Sequence, residues 1–92
     1  MSLLTFTDEG RKHIDQTVER AESFRQELEQ AGGRLIGQYW TIGDVDGCVI
    51  FEAPNDETAS ALLVALSRKG NVSTRTLRVY DRQEILQIVK QA

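Results

Sequence analysis

The side chain best placed for acid–base chemistry is Asp46, which ends the segment "IGDVD" and begins an apolar run. Burial at such a position would raise the pKa of the carboxyl group and make it a general base. An aspartate in a turn more often accepts hydrogen bonds from nearby backbone amides. We therefore favour a structural role for Asp46 and keep catalysis as the alternative.

Three further side chains are weak candidates for binding a ligand, namely Tyr39, Trp40 and Arg75. Tyr39 and Trp40 are neighbours in a predicted strand, so they point to opposite faces and at most one of them can line a given pocket. Arg75 could neutralise an acidic ligand, or it could pair with Glu52 across the sheet. The preferred interpretation is this ion pair or plain exposure at an edge of the sheet.

The sequence predicts no metal site and no cofactor. His13 is the only histidine and has charged neighbours, which indicates a solvated surface residue rather than a ligand. Cys48 is the only cysteine and lies in an apolar strand pattern, so we expect a buried, unreactive thiol without a disulfide. Phosphate-binding loops, dinucleotide fingerprints and nucleophile elbows are absent from the sequence.

The amino-acid composition limits the classes of partner that the protein is expected to bind. The 92 residues fit one domain, residues 1–92, with 40% hydrophobic residues, as in an ordinary globular protein. A net charge of -3 supplies no basic field for nucleic acid. The longest apolar run, residues 61–66, is far too short to cross a membrane. We expect a cytoplasmic protein that binds neither nucleic acid nor membrane.

The elements that must position these side chains follow from periodicity and termination signals. The pattern predicts strands near residues 3–6, 34–41, 46–53 and 72–80, main helices near 8–31 and 55–69, and a short terminal helix at 82–91. The first helix is predicted to bury a stripe that includes Ile14 and Val18. The order β-α-β-β-α-β indicates an α+β, ferredoxin-like sandwich with a C-terminal helix.

The third predicted strand is apolar on both faces. Cys48 and Ile50 point one way, while Val49 and Phe51 point the other way. Two helices can cover only one face of the sheet, so something else must cover the second. We expect a second copy of the chain, in a homodimer or a higher homo-oligomer formed through the sheet. In a monomer, the terminal helix would have to fold back over that face.

Several segments together resemble the GYD domain family of uncharacterised small proteins. They are "TFTDEG", "YWTIGDVD", "EAPND" and "GNVSTRTLR", and the similarity covers nearly the whole chain. The family motif Gly-x-Tyr-Asp falls on Gly43, Val45 and Asp46, with valine where tyrosine is usual. The resemblance implies pairing as a dimeric α+β barrel, and it implies no established activity.

Two classes of function remain open at this point. The first is a homo-oligomeric binding module that could also hold a small ligand. The alternative is a cofactor-free enzyme, similar to monooxygenases or isomerases, that acts on a small hydrophobic compound; it rests on fold analogy alone. An enclosed cavity with a converging polar group would favour the enzyme, whereas a filled core would favour the module.

Overall fold

A computed structural model describes all 92 residues and shows a four-stranded antiparallel sheet with two long helices on one face. The strands lie in the order β2-β3-β1-β4. In chain order the elements are β1 Ser2–Phe6, α1 Asp8–Lys12, a 3₁₀ turn Ile14–Gln16, α2 Thr17–Gln30, β2 Arg34–Trp40, β3 Gly47–Glu52, α3 Asp56–Arg68, β4 Val72–Thr76 and α4 Arg82–Gln91. The predicted α+β, ferredoxin-like fold is confirmed.

The core lies between the sheet and helices α2 and α3. Its buried members are Phe24 and Leu28 from α2, Leu62 from α3 and Val49 from β3. Phe51 packs against this cluster and meets Phe24 edge to face, with ring centroids 5.6 Å apart. Because Val49 is only 1% exposed, the face of β3 that carries Val49 and Phe51 is the inner one.

The prediction of a single helix at residues 8–31 is wrong, because this segment forms two α-helices separated by a 3₁₀ turn. Helix α1 ends at Lys12, and His13 has the non-helical angles φ -117° and ψ 40°. The break changes which residues face the sheet. Ile14 and Val18, predicted to be buried, are 46% and 65% exposed.

At this break, helix α1 lies in close contact with Asn71, the residue before β4. A Cβ atom at Gly10 would lie 2.0 Å from the carbonyl oxygen of Asn71, so α1 and the β4 segment pack backbone against backbone. The amide of Thr7 donates to the same oxygen at 3.1 Å. Arg20 then donates to the carbonyl oxygens of Gly10 and His13, at 3.4 and 2.7 Å, and so satisfies carbonyls at the end of α1.

The fourth strand is shorter than predicted, since β4 stops at Thr76 rather than near residue 80. Its only neighbour, β1, begins at Ser2, and the last backbone bonds join Leu77 to Met1 at 2.8 and 2.9 Å. Past that point the chain has no strand to pair with. We call residues 77–92 the C-terminal arm.

Helix α4, within the C-terminal arm, is the predicted terminal helix, and it begins at a capping box. Asp81 accepts from the amide of Glu84 at 2.8 Å, and Glu84 accepts from the amide of Asp81 at 3.1 Å. Every residue of α4 is exposed, so the helix does not fold back over the sheet. The radius of gyration, 14.3 Å, exceeds the roughly 12 Å typical of a compact chain of this length, as expected for a projecting arm.

Candidate functional site

A cavity of about 120 Å³ lies between the sheet and the helices. It occupies the end of the sheet where β1 and β2 finish and β3 and β4 begin. Its apolar wall comes from both layers, namely Leu4, Phe6, Phe24, Val49, Leu66 and Val72. The core is therefore not completely filled at this end, and the cavity is partly open to solvent.

Three of the predicted site residues, Tyr39, Trp40 and Asp46, border this cavity. Trp40 lies on the inner face, and its indole Nε1 donates to Thr17 Oγ1 at the start of α2, at 3.0 Å. Asp46 accepts the amide of Phe6 on Oδ2 at 2.8 Å. Its own amide donates to the carbonyl of Leu4, also at 2.8 Å. Asp46 thus fastens the hairpin between β2 and β3 to β1.

The turn before Asp46 explains why a hairpin forms here. Gly43 has φ +143°, a conformation that residues with a Cβ rarely adopt. Thr41 then closes the turn, with its amide donating to Asp46 O at 3.0 Å and its hydroxyl to Val45 O at 2.6 Å. The predicted turn between the two strands is confirmed.

The cavity also carries two cations that the sequence interpretation missed, Arg20 and Lys69. Lys69 forms an ion pair with Glu27 at 2.6 Å. Arg20 is half-buried and bonds only to backbone carbonyls, with no carboxylate within 4.0 Å. No local pattern marks Arg20, because the carbonyls it caps become accessible only through the break after Lys12.

The opposite face of the sheet is not covered by either long helix. We call it the outer face and define it by Leu3, Tyr39, Cys48 and Ile50, which strand register places on one side. Tyr39 is 57% exposed and lies over Gly37, where a Cβ would come 2.7 Å from its ring. Cys48 is only partly buried in the single chain, so the prediction of a buried thiol is not met within one copy.

Arg75 also belongs to the outer side, paired opposite Leu3 on β1. Of the two preferred interpretations, the ion pair does not form, because Glu52 lies on β3 and pairs with Arg34 at 3.2 Å. Exposure at an edge is what the structure shows, since Arg75 is exposed on the edge strand β4. Arg75 instead borders a shallow polar groove that includes Asp44. Strand register therefore separates the predicted site residues, with Trp40 on the inner face and the side chains of Tyr39 and Arg75 on the outer side.

The structure also bears on His13, on metal binding and on the membrane. His13 is exposed and lies 3.1 Å from Glu9. The chain has no group of three or more histidine, cysteine, aspartate or glutamate side chains that could hold a metal ion. None of its helices has the length and apolar character needed to span a bilayer. The expected cytoplasmic location stays a prediction.

Comparison with known proteins shows which family the sequence matches. The family described as "GYD domain" matches residues 1–89. A similar protein from Thermus thermophilus, named "Glutamine synthetase and cystathionine beta-lyase binding protein", is 30% identical over 89 residues, which are 96% of this chain and 94% of the relative. No solved structure matches significantly.

Proposed function

The chain belongs to the GYD domain family, and we propose that it is a homodimeric binding module for a protein partner. The observation that carries the proposal is the outer face, which is apolar at its centre and uncovered within one chain. Cys48 and Ile50 lie there, and α4 is fully exposed instead of covering them.

A second copy is the occupant that best fits the outer face. A two-fold axis would set the same apolar patch against itself, and burying a large apolar side chain contributes about 1.5 to 3 kcal/mol. The C-terminal arm adds further exposed apolar side chains, namely Leu77, Val79, Tyr80, Ile85, Leu86, Ile88 and Val89. A chain of 92 residues buries a small core, so these contacts would supply a large share of its stability.

Charge supports contact between copies. The C-terminal arm has three basic and two acidic residues, whereas residues 1–76 have eight basic and twelve acidic residues. An arm with a basic excess is attracted to a body with an acidic excess, and the contact would weaken as salt rises.

The printed name of the Thermus thermophilus relative supports a protein partner. We propose that this chain also binds an enzyme of nitrogen or sulfur amino-acid metabolism, with glutamine synthetase and cystathionine beta-lyase as the first candidates. The enzyme alternative is less well supported. The cavity is not filled, but it is partly open to solvent rather than enclosed, and the predicted general base, Asp46, already accepts the amide of Phe6.

Light scattering on the unmodified protein at micromolar concentration tests the dimer. We expect twice the chain mass of 10.4 kDa, and a mass of one chain would refute the homodimer. Ile50→Lys should lower the mass to that of a monomer, because it places a charge in the apolar contact. Val64→Lys is the matched control, because Val64 is 54% exposed on the far side of α3.

Binding to purified glutamine synthetase and cystathionine beta-lyase tests the partner. Surface plasmon resonance with the immobilised module should show saturable binding to at least one of them. The Val64→Lys variant should bind as the unmodified protein does. Failure to bind either enzyme would overturn this choice of partner without affecting the dimer, which the mass measurement decides separately.

A further inference from the structure

We propose that the cavity beneath Trp40 binds a small organic carboxylate, with its apolar body inside the cavity and its carboxylate on Arg20. This inference requires neither the dimer nor a protein partner, because the wall of the cavity comes from a single chain.

The size and the wall of the cavity define the body of the ligand. An apolar cavity of roughly 150 Å³ in another protein holds benzene, and the volume here is about 120 Å³. Side chains such as Phe24, Val49 and Val72 offer no polar group to a ligand in the interior. A planar or short aliphatic body of about six to eight heavy atoms fits these limits.

Arg20 defines the charged group of the ligand. A guanidinium has five N–H donors, and the two hydrogen bonds to Gly10 and His13 carbonyls leave donors free. Its charge has no carboxylate partner within the chain, although the side chain is half-buried. A planar carboxylate is the group whose geometry and charge match a guanidinium.

The charged side chains that line the cavity determine the sign and the number of charges that a bound ligand can carry. Of the two cations in the lining, Lys69 is already paired with Glu27, so Arg20 is the cation left for a ligand, beside one anion, Asp46. Asp46 already accepts the amide of Phe6, so it does not need a ligand donor to be satisfied. Its remaining charge repels a second anionic group, which restricts the site to monocarboxylates.

Three probes of the same shape and different charge test the site: benzoate, benzyl alcohol and benzylamine. Trp40 is the only tryptophan and borders the cavity, so its fluorescence reports binding, with backbone amide chemical shifts as a second readout. We expect saturable binding of benzoate and at least tenfold weaker binding of the alcohol and the amine. Equal or tighter binding of benzylamine or benzyl alcohol would overturn the proposal.

Three single substitutions test whether Arg20 and Asp46 control the binding of benzoate. Arg20→Met should weaken benzoate binding roughly tenfold to a hundredfold, whereas Arg11→Met, at an exposed arginine outside the cavity, should not change it. Asp46→Asn keeps an acceptor for the Phe6 amide and should bind benzoate severalfold more tightly. If Arg20→Met fails to fold, Asp46→Asn decides, because unchanged or weaker binding in that variant contradicts the proposed charge pattern. The mass of the assembly should be the same with and without benzoate.

Discussion

Adjacent residues of β3 offer a direct test of how the two faces of the sheet contribute to stability. Val49 is 1% exposed and belongs to the core, while its neighbour Ile50 lies on the outer face and is only half-buried within one chain. We expect Val49→Ala to destabilise every chain by the same amount at any protein concentration. Ile50→Ala should act mainly on association.

The magnitudes follow from the burial of each side chain. Val49→Ala removes two methyl-sized groups at about 0.8 kcal/mol each and leaves a cavity, for a total of about 2 to 3 kcal/mol. For a domain of this size that is a fall in midpoint temperature of roughly 10 to 20 °C. In the proposed dimer, Ile50→Ala changes both copies of the symmetric contact, so a loss of about 1 to 1.5 kcal/mol per copy should weaken association roughly 30- to 150-fold.

Thermal unfolding at two protein concentrations a hundredfold apart separates the two effects. The midpoint of the unmodified protein should rise with concentration, because association stabilises the folded chain. That rise should persist in Val49→Ala at a lower midpoint and should shrink in Ile50→Ala. A midpoint independent of concentration in the unmodified protein, or the same loss from both substitutions at every concentration, would refute the assignment of the two faces.

Three other outcomes follow from single contacts. Gly10→Ala should destabilise the fold markedly in chemical denaturation, because the new Cβ would collide with the carbonyl of Asn71; an unchanged denaturation midpoint would contradict that backbone contact. The hydrogen bond from Arg25 lowers the pKa of Glu22, so the stabilisation is present at neutral pH and is lost as the pH falls through that depressed pKa. The stability difference between the unmodified protein and Glu22→Gln should therefore vanish in acid. Cys48 should react slowly with a thiol reagent in the proposed dimer and faster in a dissociated outer-face variant, and equal rates would place it outside the contact.

Local signals in the sequence determined most of the elements. Asn55 caps α3 by accepting the amide of Thr58 at 2.8 Å, and Asp81 begins α4 through its capping box. Gly43 supplies the backbone conformation that the hairpin turn requires. These features involve residues within a few positions of one another, so their patterns can be recognised from the sequence alone.

Contacts between residues far apart in the sequence decided the remaining features of the fold and of the candidate site. The break after Lys12 accompanies the approach of Gly10 to Asn71, sixty-one positions later. Strand β4 ends at Thr76, which pairs with Ser2, the first residue of β1. The same break exposes the carbonyls that hold Arg20 at the cavity, so neither the cavity nor its cation could be read from periodicity. The sequence of β3 showed that both faces of this strand are apolar. Side-chain alternation separates the two faces but does not say on which side the helices lie. Only the packing of Val49 under the helices decided that the face with Cys48 and Ile50 stays uncovered.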